Sequence, residues 1–277
     1  MRHTPARTPH VLLLPLIVAA ALGACAWRPP PDEAPVSRRV AALLPADALL
    51  LGEQHDAPEH QDMERATVEA LAQGGRLAAL AIEMAEEGNT TGHLPPDATE
   101  AQVRTALSWS DAGWPWSAYG PVVMAAVRAG VPVVGANLPR ARMKDAMADV
   151  SLDAQLADSA RAAQRAAVRS GHCDLLPESQ IVPMTRIQIA RDRAMAQAIV
   201  KSRAPGKTVL LVSGAGHANK ALGVPQHLPT DVSVKAVQMQ AGGPRDTAGA
   251  FDAAWATPPV PEKDYCAELR PARSAER

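Results

Sequence analysis

Ionisable side chains follow three apolar segments of the sequence that are typical of buried strands. Glu53 and His55 come after the first segment, Glu83 lies near the end of the second, and His217 follows a later one. If these strands are parallel, their carboxyl ends meet at one edge of a sheet, where open α/β folds bind ligands. An extended backbone also points the side chains of residues 53 and 55 the same way. Carboxylates and imidazoles at one edge predict either a divalent transition-metal site or acid–base work on a bound water.

Each of these residues also has a structural interpretation. A charge inside an apolar strand needs a partner, and Arg191 is available to pair with Glu83. His217 follows a glycine turn, where a hydrogen-bonded structural histidine is an alternative. Their joint occurrence at equivalent strand ends favours a functional site. Residues 214–217 are not a phosphate loop, because they lack both the Lys-Ser/Thr of a P-loop and the third glycine of a dinucleotide turn.

Aromatic residues cluster in one short segment. The chain has only 5 Trp, 2 Tyr and 1 Phe, yet residues 109–119 contain Trp109, Trp114, Trp116 and Tyr119. They form either a local aromatic core or a flat apolar surface for a planar ligand, with the phenol of Tyr119 as a polar group. The composition leaves both interpretations open.

Strand-like and helical patterns alternate along the chain. Strands are predicted over residues 47–51, 77–84, 131–137, 207–213 and 232–239, and helices over 59–73, 98–107, 117–129, 151–169 and 185–202. This alternation predicts an α/β fold with a mostly parallel central sheet flanked by helices. Residues 41–245 form the expected domain, with a helical cap subdomain at about 88–180 and a C-terminal tail over 246–277.

The first 24 residues resemble a bacterial lipoprotein signal peptide. A basic start and an apolar run over residues 11–22 lead into Leu22-Gly23-Ala24-Cys25, which is similar to a lipobox. An ordinary secretory signal with a chance cysteine is the alternative. On the lipoprotein interpretation Cys25 carries the acyl chains and residues 25–40 form a Pro-rich tether. Ala26 stands where Asp signals inner-membrane retention, so we expect a lipid-anchored protein of the bacterial cell envelope, on the outer membrane.

Composition excludes two broad classes of protein. A hydrophobic content of 47% excludes a disordered chain, and Lys+Arg 28 against Asp+Glu 29 leaves no basic field for nucleic acid. With Cys25 lipidated, Cys173 and Cys266 remain. In an oxidising compartment they either form a disulfide or stay as two buried thiols, and the sequence does not give their separation.

Taken in order, the motifs resemble the ChaN-like haem-binding lipoproteins of the Tiki/TraB and erythromycin-esterase superfamily. The resemblance covers about residues 46–240. The matching segments are residues 51–56 (LGEQHD) with His60, 81–84 (AIEM), 108–119 (SWSDAGWPWSAY), 135–140 (GANLPR), 172–177, 188–196 and 214–225.

The resemblance implies an outer-membrane lipoprotein that binds haem in haem or iron acquisition. It implies two haems held face to face between two subunits, with a tyrosine as iron ligand and histidine support. Tyr119 lies in a matched motif and is the expected ligand, whereas Tyr265 lies in the weakly matched tail. His55 or His60 is the expected supporting imidazole, and Trp116 is expected at the haem. Without a CxxCH motif the haem is non-covalent; an outer-membrane haem receptor is a further expected partner.

The wider superfamily implies a different activity, because its enzymes hydrolyse peptides or esters at matched Glu and His positions. On this alternative His55, Glu83 and His217 hold a divalent transition metal or act on water. Glu53 is then the base, and Arg191 binds an anionic group. Haem binding is the favoured function and catalysis is left open. The two can coexist, with haem at an outer surface and the polar residues in a cleft at the sheet edge.

Overall fold

A sheet of six parallel strands lies at the centre of the computed structural model, which describes residues 1, 34–242 and 249–267. The predicted α/β class with a parallel sheet is confirmed. Cys25, the signal peptide and the first part of the tether lie outside the described residues. The spatial order is β3-β2-β4-β1-β5-β6. The strands are β1 (Ala48–Glu53), β2 (Leu77–Glu86), β3 (Val133–Asn137), β4 (Thr208–Gly214), β5 (Val234–Ala241) and β6 (Ala253–Thr257).

Helices cover both faces of this sheet, so its central strands are continuous apolar runs rather than alternating ones. The helices α1, α2 and α4 pack on one face, and α7 and α8 pack on the other. The helices are α1 (Val36–Leu43), α2 (Pro58–Gln73), α3 (Glu100–Ala106), α4 (Trp116–Arg128), α5 (Met143–Ala148), α6 (Asp158–Gly171), α7 (Glu178–Ser202) and α8 (Ala215–Ala218).

The helices of the predicted cap region divide into two groups. The helices α3 and α4 contribute to the large apolar core beneath α2. The helices α5 and α6 and the 3-10 turn Val150–Ala154 pack instead around α7 with a separate apolar cluster. That turn interrupts the helix predicted over 151–169, because the side chain of Asp149 accepts a hydrogen bond from the N–H of Ser151 and stabilises a short turn there. The helix α7 begins at Glu178 rather than 185 and continues through Pro183, a residue that disfavours helix.

Two elements lie in segments where the sequence predicted none. The helix α1 starts inside the predicted tether and buries Val40 and Leu43 in the core. The strand β6 lies inside the predicted tail and adds to the sheet edge beside β5, with Trp255 buried. Its sequence AAWAT is alanine-rich and has low strand propensity, so the pattern did not reveal it. Within the described ranges, no helix combines the length and the apolarity that a bilayer crossing requires.

Candidate functional site

The adjacent strands β2, β4 and β1 bring the predicted site residues together at their carboxyl edge. Glu53 ends β1 and pairs in register with Gly214, which ends β4. The N–H of Gly214 donates to Oε2 of Glu83 on β2 at 2.8 Å. A Cβ at position 214 would lie 3.0 Å from Nε2 of His55, so the imidazole lies close against this strand end and a larger residue would push it outward. The convergence predicted for Glu53, His55, Glu83 and His217 is therefore present.

Glu53 is buried and accepts three hydrogen bonds. Its Oε1 accepts from the Tyr119 hydroxyl and from Nδ1 of His55, each at 2.7 Å, and its Oε2 accepts from Nε2 of Gln61 at 2.6 Å. Because a carboxylate only accepts, Nδ1 of His55 carries the proton and Nε2 is left open. Burial lowers the pKa of His55, but the hydrogen bond to Glu53 and the charge of Glu83 outweigh burial and raise it above its ordinary value. This is the geometry of a carboxylate-oriented imidazole.

His217 lies between two buried carboxylates. Its Nδ1 is 2.6 Å from Oδ1 of Asp192, and its Nε2 is 3.5 Å from Oε1 of Glu83. Burial opposes protonation, yet the charges of Glu83 and Asp192 raise the pKa of His217 to about 10. Burial would raise the pKa of Glu83, but the charge of His217 and the hydrogen bond from the N–H of Gly214 lower it to about 2. Glu83 thus pairs with His217, and among the described residues no ion pair joins it to Arg191, the structural alternative for this acid.

The cluster also contains two buried acids that were not predicted as site residues, Asp192 and Glu64. Asp192 orients His217 from α7, and its position inside the matched QIARD segment was the available signal. Glu64 on α2 is fully buried, and among the described residues neither of its oxygens has a donor. Burial and the neighbouring charge of Glu53 raise the pKa of Glu64 well above its usual value. A protonated Glu64 donates to Glu53 where an ionised one would repel it.

The structure does not favour the expected role of Tyr119 as iron ligand. The side chain is buried, and its hydroxyl is committed to Glu53. Burial and the charge of Glu53 raise the pKa of Tyr119 far above its ordinary value. An iron-ligating tyrosine is a phenolate that faces the metal. Tyr119 is instead a buried donor that positions Glu53.

His60 and Trp116 are also committed to the interior. His60 is fully buried, its Nδ1 accepts from the N–H of Gln54 at 2.9 Å, and its Nε2 lies 3.1 Å from Oγ1 of Thr257. Burial lowers the pKa of His60. Trp116 is the first residue of α4, and its Nε1 donates a hydrogen bond to Oε2 of Glu100 at 2.9 Å. Neither side chain presents a free face for haem, so their expected roles in haem binding are not supported.

Most of the aromatic cluster packs against itself. Trp109 meets Trp116 edge to face at 5.0 Å between ring centroids, and Trp114 meets Tyr119 in the same way at 5.8 Å. Trp114 also contacts the ring of His55 at 4.8 Å. The segment is therefore chiefly a local core, while Trp114, which is half-buried, forms part of the site wall.

The metal interpretation of His55, Glu83 and His217 is not supported by the geometry. No three His, Cys, Asp or Glu side chains in the described ranges are arranged to hold a metal ion. Both nitrogens of His217 face carboxylates, with Nδ1 2.6 Å from Asp192 and Nε2 3.5 Å from Glu83. The geometry does allow the other role that the sequence suggested for these residues, which is acid–base action on a bound water.

A cleft of about 680 Å³ opens beside the cluster. The wall of the cleft provides a carboxylate, an indole, an amide and two guanidinium groups, which belong to Glu83, Trp114, Asn137, Arg140 and Arg191. Nε of Arg191 is buried without a hydrogen-bond partner among the described residues. Guanidinium groups bind carboxylate and phosphate, so the cleft can hold an anionic small molecule.

Tyr265 is the exposed tyrosine of the two in the chain, with 53% of its surface accessible. Its hydroxyl donates to Oδ2 of Asp56, the residue after His55. That hydrogen bond raises the pKa of Tyr265. The next residue, Cys266, forms a disulfide with Cys173, so the structure contains the bridge rather than the two thiols.

Comparison with known proteins assigns a family to this fold and site. The model of the family "Haem-binding uptake, Tiki superfamily, ChaN" matches residues 39–228. That range is well over half of the chain and contains Glu53, His55, Glu83, Asp192 and His217. The chain belongs to this family. The match to the ChaN family ends before Tyr265. A search of the curated proteins found no match.

Solved structures similar to this chain include one that shows the same architecture. The chain is similar to ChaN of Campylobacter jejuni, a structure described as cofacial haem binding, with 22% identity over 77% of this chain and 89% of that one and a TM-score of 0.64. It is also similar to the type III effector HopBA1, with 16% identity over 84% of this chain and 97% of that one and a TM-score of 0.48. The ChaN likeness supports the α/β fold described above.

Proposed function

We propose that this ChaN-family chain binds haem non-covalently on the surface beside the carboxyl edge of its sheet. The observation that carries the proposal is the family match over residues 39–228, which spans most of the described fold. The lipobox-like residues ending at Cys25 support attachment to the outer membrane by acyl chains. We assign the protein on this basis to haem or iron acquisition, with an outer-membrane haem receptor as partner.

The described residues fit a surface haem. Ferric haem iron accepts a phenolate oxygen, which is the chemistry the group supplies when bound. Tyr265 offers an exposed phenol, whose hydroxyl donates to Asp56, the residue that follows His55 in the sequence. Nε2 of His55 is open, and the ring of Trp114 lies against this imidazole. Tyr265 therefore replaces Tyr119 as the proposed iron ligand, with His55 as the supporting imidazole. A haem on an open surface leaves its second face exposed, which a second copy of the chain with its own haem would cover.

Haemin titration of the purified protein in detergent tests this proposal. We expect a Soret shift and a phenolate–iron charge-transfer band, both with Tyr119→Phe and with the unaltered chain. Tyr265→Phe should lose the band, and sedimentation should show haem-dependent dimers. The absence of any Soret shift would contradict haem binding. A band that survives Tyr265→Phe would contradict the ligand assignment.

A second candidate function is metal-independent hydrolysis in the cleft. The observation that favours it is the Glu53-oriented imidazole of His55, whose open Nε2 lies beside Glu83 and the paired His217. His55 would take a proton from water, while Arg140 and Arg191 bind an anionic substrate group. A panel of esters and peptides assayed with and without a chelator tests it. Activity should resist the chelator and vanish in His55→Ala; inactivity on every substrate, or equal activity in His55→Ala, contradicts it.

A further inference from the structure

We propose that the disulfide between Cys173 and Cys266 positions Tyr265 for iron, so that reduction of this bridge releases haem. This inference rests on the proposed haem function. Residues 258–267, here called the strap, follow β6 and contain no helix or strand. The strap crosses from the sheet edge to the turn between α6 and α7, and Tyr265 lies directly beside the bridged cysteine.

Tyr265 is held by contacts of different strength. Its exposed hydroxyl donates to Asp56, just after β1, and the ammonium of Lys263 lies 5.4 Å from the centre of its ring. Exposed contacts of this kind are weak beside the conformational entropy lost when an irregular segment is ordered. The neighbouring Cys266 is bonded covalently to Cys173, and this bridge closes a span of 93 residues and restricts the backbone at Tyr265.

The other end of the bridge lies in a strained turn. Cys173 and Asp174 both adopt left-handed backbone conformations, with φ of 59° and 56°. Such conformations are unfavourable for residues other than glycine and persist only when surrounding structure imposes them. Hydrogen bonds from the N–H groups of Cys173 and Asp174 to the carbonyls of Ser170 and Arg169 hold this turn at the end of α6. The disulfide therefore ties the strap to a turn of defined shape, and its loss releases the strap from that turn.

The bridge is accessible to a thiol reductant. Cys173 and Cys266 are both partly exposed, between exposed neighbours such as Asp174 and Tyr265. A dithiol reductant attacks one sulfur as its thiolate and forms a mixed disulfide with that cysteine while the other cysteine leaves as a thiolate. Its second thiol then displaces the bonded cysteine, which gives two protein thiols and an oxidised reductant. Two electrons and two protons pass from the reductant to the bridge, and the Tyr265 phenolate takes up one proton from solvent when haem leaves.

Hydrogen exchange in the haem-free protein tests the structural half of the inference. The amides of Cys266 and Ala267 both donate hydrogen bonds to Asp264, and they should exchange about tenfold faster in the doubly substituted Cys173→Ser/Cys266→Ser chain than in the oxidised chain. The matched control is Tyr265→Phe, which keeps the bridge and should keep slow exchange. Equal exchange in the oxidised chain and the double variant would overturn the proposal, whether or not haem binds.

Haemin titration tests the functional half. The double variant is compared with the oxidised chain instead of a chemically reduced chain, because a reductant would also reduce the haem iron. Circular dichroism checks that the variant is folded. If the phenol occupies its binding position about a tenth of the time without the bridge, the apparent Kd rises about tenfold, and the phenolate band weakens with it. An unchanged Kd and an unchanged band would overturn the inference. If the oxidised chain itself binds no haem, the proposed function fails, and the exchange comparison still decides whether the bridge orders the strap.

Discussion

The hydroxyl of Tyr119 donates to Oε1 of Glu53 at 2.7 Å, across 66 residues of sequence and inside the core. The phenol comes from α4 and the carboxylate from the end of β1, so this contact joins a crossover helix to the sheet edge at the site. Since Oε1 also accepts from His55, the position of the phenol helps to fix the imidazole. Tyr119, although it lies in a motif that resembles the haem-binding family, therefore helps to orient Glu53 and His55.

Replacing Tyr119 with Phe should destabilise the fold without removing haem. The change deletes a buried hydrogen bond to a carboxylate, a contact worth about 1.5–3 kcal/mol, and leaves one acceptor less satisfied. Urea unfolding measures the loss. Tyr265→Phe is the control, because its exposed hydroxyl should change the free energy of unfolding by less than about 0.5 kcal/mol. Equal stability of the Tyr119→Phe and unaltered chains would contradict this account of the contact.

The buried His217 should make stability fall as the pH rises above neutral. Its folded pKa of about 10 lies above the ordinary histidine value of 6.5, so its contribution is complete below about pH 6.5 and is lost as the pH approaches 10. The raised pKa of His55 acts in the same direction. The loss is at most about 1.4 kcal/mol per pH unit. Urea unfolding at several pH values between 6.5 and 10 measures the slope.

The matched variant for this slope is His217→Gln, which keeps hydrogen-bonding groups but cannot carry the charge. Its free energy of unfolding should be lower near neutral pH and should lack the part of the slope that His217 contributes. The contribution of Glu83 has the opposite sign, because its folded pKa of about 2 makes that contribution present above about pH 4.5 and lost as the pH falls toward 2. Parallel slopes for the variant and the unaltered chain would show that another group is responsible.

The strand ends could be predicted from the sequence, whereas the partners of these residues could not. Glu53, Glu83 and His217 each follow an apolar run, and parallel strands must bring such ends to one edge. Asp192 reaches His217 only because of how α7 packs across the sheet, a long-range relation that periodicity does not encode. The burial of Tyr119 likewise depends on α4 packing against α2, so its motif alone suggested a ligand where the fold makes a core residue.

Glu64→Gln should stabilise the protein at neutral pH. Glu64 is ionised in the unfolded chain near pH 7, but its folded pKa is raised, so folding must take up a proton at a cost in free energy. Gln is neutral in both states, has nearly the same shape, and can donate to Glu53 as the protonated acid does. We therefore expect the free energy of unfolding of Glu64→Gln to exceed that of the unaltered chain at pH 7.

The pH dependence separates this explanation from a packing effect. The contribution of a group with a raised pKa is fully present below its unfolded pKa, so the advantage of Glu64→Gln should shrink as the pH falls to about 4.5. Urea unfolding of both chains at pH values from about 4 to 8 measures the difference. Glu69→Gln on the partly exposed face of the same helix is the control and should differ little at any pH. A constant advantage across this range would indicate packing rather than proton uptake.

Haem affinity should increase with pH if Tyr265 ligates the iron. The free protein holds Tyr265 as a phenol whose pKa is raised by its hydrogen bond to Asp56, whereas the ferric complex contains the phenolate. Binding therefore releases one proton, and the association constant should rise about tenfold per pH unit below the tyrosine pKa. Haemin titrations at about pH 6, 7 and 8 measure this slope, with Tyr265→Phe as the variant that should lose it. Asp56→Asn should keep the slope but bind more tightly, because the weaker acceptor lowers the pKa of the phenol and with it the cost of ionisation. A slope that persists in Tyr265→Phe would assign the released proton to another group and the iron to another ligand.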